Sequence, residues 1–113
     1  ENLPARLSVC GQLDRAATAI PLNIADGNAK FTAPDRCRYF DSARGSALEC
    51  AACLDVLVAK GKSAAEQIRV GKEVLVEVVA LLIGLVRSIS PDRLGEEPVA
   101  YRASADADKE QHE

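Results

Sequence analysis

Apolar residues recur at helical spacing in three stretches of the chain. In the first stretch, residues 7–27, they follow one another at spacings of four, three and four, which places them on one face of a helix. These residues are Leu13, Ala17, Ile20 and Ile24. Pro21 lies inside the pattern and predicts a kink or a local break, because proline lacks the backbone donor that a helix uses. Gly27 and Asn28 then predict the end of the helix.

The second stretch begins with strong helix-start signals. Thr32 is a capping residue, Pro34 suits an early helical position, and Asp35 complements the positive end of a helix. The apolar positions that follow alternate spacings of three and four up to a stop at Gly61. They are Phe40, Ala43, Ala47, Cys50, Leu54 and Leu57. We therefore expect a long second helix with a narrow face of mostly small residues, which permits close approach of a neighbour.

The third stretch is apolar on two sides. It opens at Ser63, which with Glu66 has the spacing of a capping box. One side is a heptad-like seam of Ile68, Gly71, Leu75, Val78, Leu82, Leu85 and Ile89. The other side carries further aliphatic residues, and Glu77 is the single charge between Val74 and Val86. Such a run is too short to cross a bilayer. We expect one side to meet its own bundle and the other to meet a second subunit, with interface candidates Val74, Val79, Leu81, Leu82 and Val86.

Composition supports an all-α fold. Alanine supplies 19 positions and aromatic residues only 4% of the chain, so aliphatic and small side chains must form the core. The sequence predicts a helical domain over residues 1–89. Residues 90–113 contain seven of the 17 acidic residues and three of the 14 basic ones, and they predict a flexible acidic tail.

Charge, apolar content and cysteine content exclude several classes of protein. Apolar residues are 48% and charged residues 27%, which argues against both a membrane protein and a disordered one. The net charge of −3 argues against a generic binder of nucleic acid. Four cysteines allow two disulfides, but no extracellular signature accompanies them. We therefore expect a soluble protein of the reducing cytoplasm.

One ordered motif resembles a known family. It runs Gln12, Arg15-Ala-Ala, Ile20-Pro21, Asn23-Ile-Ala and Asp26-Gly27, and is followed by Ala43-Arg44-Gly45-Ser46-Ala-Leu-Glu49. This resembles the bacterial four-helix-bundle proteins encoded in intervening sequences of 23S ribosomal RNA genes. The resemblance covers residues 7–89. It implies an antiparallel up-and-down helical bundle whose subunits join in a ring-shaped homopentamer with no established enzymatic activity. A related branch serves as basic accessory subunits of the reverse transcriptases of diversity-generating retroelements.

Two features depart from the family pattern. Members usually carry another amphipathic helix ahead of the segment matching residues 7–27, where this sequence has six residues. We expect that helix either to lie outside the printed sequence or to be replaced by a neighbouring subunit. The positions after Gly27 are often basic in the family and read Asn28-Ala29-Lys30 here, which weakens any transfer of nucleic-acid binding.

The polar motif residues have a structural and a catalytic interpretation. Arg15 or Arg44 paired with Glu49 or Asp26 would fix the register of two helices, with Gln12 in the same network. Asn23, beside Pro21, is suited to bond the carbonyl that the proline leaves without a donor or to cap a turn. Ser46 after Gly45 is suited to close packing. Glu49 and Asp26 as a catalytic carboxylate pair is the weaker interpretation. Ser46 has no histidine to activate it, because the only one is His112 in the tail.

Cys50 and Cys53 form a Cys-x-x-Cys motif within the second helix. A metal site needs about four ligands, and a thioredoxin-like site needs a strand before the helix. We therefore interpret both as buried small apolar residues and expect no metal and no cofactor.

The overall prediction is a non-enzymatic homo-oligomer, a pentamer by resemblance, with an assembly or adaptor role and itself as partner. The alternative is an RNA- or DNA-binding accessory protein. Its candidate contacts are the basic residues Lys30, Arg36, Arg38 and Arg44, which Asp35 and Asp41 oppose locally.

Overall fold

A computed structural model describes residues 8–90, which form three helices and no strand. Helix α1 spans Val9–Ala29, α2 spans Ala33–Ala59 and α3 spans Ala65–Ile89. The all-α prediction is confirmed for this part of the chain. The predicted acidic tail lies outside the described residues, apart from Ser90.

Helix α1 differs from its prediction in two places. It continues without a break through Pro21, and it passes Gly27 to end at Ala29. Asn23 Nδ2 donates a hydrogen bond to the carbonyl of Ala19, 3.0 Å away. That carbonyl lies four residues before Asn23, so it is not the one that Pro21 leaves without a donor.

Helix α2 begins and ends as predicted. Thr32 Oγ1 accepts a hydrogen bond from the backbone amide of Asp35 at 3.3 Å. At the other end the backbone of Gly61 adopts a φ of 76°, a conformation that residues with a side chain rarely adopt. The amides of Lys62 and Ser63 then donate back to the carbonyl of Leu57. The residues next to each end were therefore sufficient to predict where α2 begins and ends.

The capping box predicted for α3 is wrong by one residue. The cap is Ala64, and the residue that reaches back is Gln67, whose Oε1 accepts a hydrogen bond from the Ala64 amide at 2.7 Å. Glu66 instead accepts from Arg69. A glutamine three residues after the cap satisfies the free amide as a glutamate would, so one half of the motif forms without Ser63.

Helix α2 is the centre of the fold, because both α1 and α3 pack against it, and within residues 8–90 they do not pack against each other. The core lies where the end of α3 meets the start of α2. It consists of Cys37, Phe40, Ala43, Leu82 and Val86, with Ile24, Val78, Leu85 and Ile89 packed around it. This arrangement leaves one side of each outer helix without a neighbouring helix among residues 8–90.

The face of α1 that meets α2 agrees only in part with the predicted apolar seam, of which Ile24 packs against the core. The buried positions are Ala16 and Gly27, whereas Leu13, Ile20 and Ile24 are half-buried and Ala17 is exposed. A Cβ at Gly27 would lie 2.5 Å from Cε1 of Phe40. The small residues face α2 because the two helices approach too closely there for a larger side chain.

None of the three described helices is both long and apolar enough to cross a membrane.

Candidate functional site: the exposed face of α3 and the α2–α3 groove

The most prominent surface feature is a row of exposed aliphatic side chains on α3. Val70, Val74 and Leu81 are 58%, 51% and 74% exposed. They follow at i, i+4 and i+11, so they form one ridge on the helix, which we call the α3 ridge. Large aliphatic side chains exposed at helical spacing make the α3 ridge a candidate contact surface.

A second apolar surface is the groove between α2 and α3, a cavity of about 150 Å³. Helix α2 contributes Ala47, Leu48 and Ala51, and α3 contributes Lys72, Leu75, Val76 and Val79. Leu48 and Val76 remain 53% and 67% exposed at its edges. Lys72 is the single charged residue of the lining, and its Nζ lies 2.6 Å from Oδ1 of Asp55. We call this surface the α2–α3 groove.

The interface candidates named from the sequence fall in different places. Val74 and Leu81 belong to the α3 ridge, and Val79 lines the α2–α3 groove. Leu82 and Val86 are only 4% and 2% exposed and belong to the core of the chain itself. The prediction that Leu82 and Val86 contact a second subunit is therefore wrong, because both pack against α2 of their own chain. Adjacent residues of a helix point about 100° apart, so Leu81 and Leu82 serve different surfaces.

Two of the predicted basic contacts lie on one aromatic ring. Nζ of Lys30 lies 5.1 Å from the centroid of the Tyr39 ring, and Cζ of Arg38 lies 4.9 Å from it. Arg38 also forms an ion pair of 3.2 Å with Asp35, and this hydrogen bond raises the pKa of its guanidinium. Phe31, next to Lys30, is 99% exposed. The start of α2 therefore presents cations and aromatic rings together.

The other two predicted basic contacts lie apart from that ring. Nη2 of Arg44 is 3.9 Å from Oδ1 of Asp41, one turn earlier on the same helix. The guanidinium of Arg36 lies 5.9 Å from the Phe40 ring, and its Nε is buried with no hydrogen-bond partner among the described residues. The four cations therefore do not form one exposed patch.

The polar motif residues lie along the α1–α2 contact. Arg15, Ser46 and Glu49 line an open groove of about 580 Å³ between these helices. Gln12 and Asp26 are exposed on α1. The ion pair of Arg44 with Asp41 lies within α2, so it does not join α1 to α2 as a pairing of Arg44 with Asp26 would. A Cβ added at Gly45 would meet no atom within 4 Å, so the close packing expected at this glycine is absent from the part of the chain that the structure describes.

Comparison with known proteins identifies the family. The family model described as the 23S rRNA-intervening sequence protein matches residues 2–84. The chain belongs to this family. No protein with a curated description and no solved structure shows significant similarity to it.

The family's description names no reaction and no ligand, so the function of this member is argued from its surfaces. The matched range contains Val70, Val74 and Leu81, and every side chain of the α2–α3 groove lies within it. Both apolar surfaces are therefore part of the family domain.

The Cys-x-x-Cys pair is buried within this family domain. Cys50 and Cys53 are 2% and 6% exposed, as predicted for small core residues. Burial raises the pKa of both thiols and so disfavours the reactive thiolate. In the part of the chain that the structure describes, no group of three or more His, Cys, Asp or Glu side chains is placed to hold a metal ion.

Sequence reasoning missed three surface residues of this family member. Leu48 carries no distinguishing signal in the sequence, yet its exposure makes it an edge of the α2–α3 groove. Phe31 and Tyr39 carried a usable signal, since aromatic residues are rare in this chain and both lie beside basic residues. Only the fold shows that one ring is bare and the other is covered by two cations.

Proposed function

We propose that the protein acts without enzymatic activity, as a homo-oligomeric bundle of helices with an assembly or adaptor role in the bacterial cytoplasm. Its subunits are antiparallel bundles, and the resemblance drawn from the sequence supports a ring of five. The observation that carries the proposal is the α3 ridge, three large aliphatic side chains that are each more than half exposed.

The energetics favour burial of this ridge. Covering the exposed part of a Val or Leu side chain stabilises a contact by on the order of 1 kcal/mol per residue. Symmetric repetition brings the same gain at each interface of the assembly. A monomer would leave Val70, Val74 and Leu81 in water, and such patches promote association.

The polar residues support a structural role better than a catalytic one. Ser46 and Glu49 lie in an open groove, and the one histidine of the sequence, His112, is far from them along the chain. A serine nucleophile needs an adjacent base to act at neutral pH. Cys50 and Cys53 are buried with raised pKa values, which disfavours nucleophilic work by either thiol.

The proposal predicts that Leu81→Glu reduces the assembly to smaller species. In an interface the new carboxylate would be buried without a partner, and we expect the dissociation constant to rise at least tenfold, which corresponds to about 1.4 kcal/mol. Sedimentation velocity at equal concentrations measures the change.

Leu22→Glu is the matched control, since Leu22 on α1 is 60% exposed and lies outside both the ridge and the α2–α3 groove. It should leave the mass unchanged. Equal masses for the Leu81→Glu chain and the unmodified chain, both folded by circular dichroism, would refute an interface at the ridge.

A second function, nucleic-acid binding, is favoured by one observation. Lys30 and Arg38 lie against Tyr39, and beside them Phe31 is bare. Cations next to exposed rings suit phosphates and stacked bases. The pairing of Arg38 with Asp35 and the net charge of −3 oppose it, so it ranks second.

This second function predicts salt-dependent retention of structured RNA by the unmodified chain. Binding should weaken when Lys30→Gln and Arg38→Gln are combined, because each lost phosphate contact lowers both the affinity and its salt dependence. Filter binding at several salt concentrations measures both quantities. Absence of binding at low salt would reject this function and leave the oligomer proposal intact.

A further inference from the structure

We infer that the acidic segment of residues 92–97 docks on the start of α2 of its own chain. The segment carries three carboxylates, those of Asp92, Glu96 and Glu97. The surface that it covers, which we call the α2-start surface, consists of Lys30, Phe31, Arg36 and Arg38. This contact forms within one chain, so the inference goes beyond the proposed oligomer and does not depend on it.

The end of α3 lies beside the α2-start surface. Ile89, the last residue of α3, packs against the core to which Cys37 and Phe40 of α2 contribute. A chain spans at most about 3.3–3.6 Å per residue, so Asp92 can lie up to roughly 10 Å from Ile89 and Glu97 up to roughly 28 Å. These lengths are sufficient for the segment to pass over the first turns of α2, which rise only about 1.5 Å per residue.

Arg36 lacks the carboxylate partner that the other two arginines of α2 have. Arg38 and Arg44 each pair with an aspartate of the same helix, whereas Arg36 forms no ion pair within residues 8–90. Its guanidinium lies 5.9 Å from the ring of Phe40, and its Nε is buried without a hydrogen-bond partner in that range. A buried N–H group that has lost water and gained no acceptor destabilises a fold. We therefore assign Asp92, the first carboxylate after α3, as the partner of Arg36.

The other two cations of the α2-start surface lie on a different ring. Lys30 and Arg38 contact the ring of Tyr39, so the three cations are spread around the start of the helix. An extended segment suits such an arrangement better than a compact ligand does. The two glutamates of the segment follow Asp92 by four and five residues, which is about 13–18 Å of extended chain. We assign them to Lys30 and Arg38.

The two parts of the chain differ in the sign of their net charge. Residues 8–90 contain ten basic and nine acidic side chains, and residues 91–113 contain three basic and seven acidic ones. Leu94 lies between the acidic residues of the segment, and Phe31, which is 99% exposed, gives it an apolar contact. Individual surface ion pairs are weak. A segment joined to its surface by a few residues nevertheless has an effective concentration on the order of millimolar, so several weak contacts are sufficient.

The docked segment and a nucleic acid would use the same cations. Carboxylates and phosphates are both anions that pair with lysine and arginine. The segment would therefore lower the affinity of the chain for polyanions, and this consequence rests on the second function proposed above.

A carbodiimide cross-link, which joins an amine directly to a carboxylate, tests the contact in the full chain. We expect Lys30 to form amides with Glu96 or Glu97, located by mass spectrometry of the digested protein. Lys60 and Lys62 are the control amines, because both are exposed at the other end of α2, roughly 40 Å away. They should link to the segment at least about tenfold less often, since the segment cannot reach them. Links to the control amines at the frequency of Lys30 overturn the inference.

Mixing isotopically labelled and unlabelled chains shows which copy supplies the segment. A link within one chain joins two peptides of the same isotope content, whereas a link between copies also joins labelled peptides to unlabelled ones. We expect only pairs of the same isotope content at Lys30. Mixed pairs at the statistical frequency overturn the intrachain contact.

The NMR signal of the Arg36 Nε–H group tests the assigned ion pair. Asp92→Asn removes the carboxylate beside this group and should move its signal. Asp106→Asn is the matched control, because it makes the same change of charge outside the segment, and it should leave the signal in place. An Arg36 signal that responds equally to both substitutions overturns the inference, and so does a signal that responds to neither.

Binding of a uridine oligonucleotide separates the inference from the second function. Full chains that combine Asp92→Asn, Glu96→Gln and Glu97→Gln should bind it at least about threefold more tightly than chains with the control set, because the uncovered cations gain phosphate contacts. The control set, which changes the net charge equally, is Asp106→Asn, Asp108→Asn and Glu110→Gln. Equal tightening by both sets overturns the covering of the cations. If neither chain binds the oligonucleotide, the second function is rejected, and the cross-links and the Arg36 signal decide the docking without a ligand.

Discussion

The four cysteines differ in environment, and this difference sets their chemistry. Cys10 is exposed in the first turn of α1, whereas Cys37, Cys50 and Cys53 are buried. Burial raises the pKa of Cys50 and Cys53, and the proximity of Cys53 adds to the effect at Cys50. The thiolate is the form that attacks a disulfide or an alkylating reagent. Burial therefore protects Cys50 and Cys53 from such reagents in two ways: it limits access to the sulfur atoms, and it favours the protonated thiols.

We predict that one thiol of the folded protein reacts rapidly with an aromatic disulfide reagent and that all four react after unfolding. Cys50 and Cys53 should gain reactivity only at a pH above the ordinary thiol pKa of about 8.5, because burial raises the pKa of both thiols. Absorbance of the released product counts the thiols. Rapid reaction of Cys50 or Cys53 at neutral pH, located by mass spectrometry, would contradict the buried environment described for them.

At the scale of the elements, the contact of α1 with α2 depends on a glycine. A Cβ added at Gly27 would lie 2.5 Å from Phe40, which is fully buried, whereas a Cβ added at Gly45 meets nothing within 4 Å. Both glycines are inside helices, where alanine is the better helix former by roughly 1 kcal/mol. The same substitution at these two positions therefore separates helix propensity from packing.

We predict that Gly27→Ala destabilises the protein by about 1–3 kcal/mol, because the packing clash exceeds the gain in propensity. Gly45→Ala should stabilise it by up to about 1 kcal/mol. Urea unfolding at one fixed protein concentration measures both values, since association changes apparent stability. Equal effects of the two substitutions would show that Phe40 does not hold α1 at this distance.

The ends of the elements show what sequence can predict. Thr32 and Gly61 affect only the backbone within one turn of their own positions, and the sequence predicts the two ends of α2 correctly from them. Gly27 was read as a stop because a glycine that ends a helix and one that admits a neighbouring helix look the same in sequence. The capping box predicted at Ser63 does not form, because the side chain of Gln67 accepts the hydrogen bond of the free Ala64 amide, one residue later.

The sequence predicted that α3 carries an apolar contact surface, but it did not predict which residues form that surface. Helical periodicity indicated that α3 is apolar on two sides, and the structure exposes Val70, Val74 and Leu81 on one of them. The periodicity did not show that Leu82 faces the core of the chain and that Leu81 faces solvent. The rotation of α3 is set by where α2 lies, and α2 is joined to it by contacts distant in sequence, such as the ion pair of Lys72 with Asp55.

At the scale of the whole molecule, the described chain has more apolar surface than its own core uses. Both outer helices pack on α2 alone, and the fully buried side chains larger than alanine are Phe40, Val86 and Cys37. The remaining aliphatic side chains of α3 form the ridge and the edge of the groove. Covering them by further copies of the same chain is the simplest way to complete such a core, and it is the central claim made for this family member.

The mass of the unmodified protein in solution tests that claim most directly. Light scattering coupled to size exclusion, over a dilution series, should give a mass of several times the 12.0 kDa chain, about five for the proposed ring, with a decrease only at the lowest concentrations. A mass of one chain at every concentration, with a helical circular dichroism spectrum, would contradict the claim.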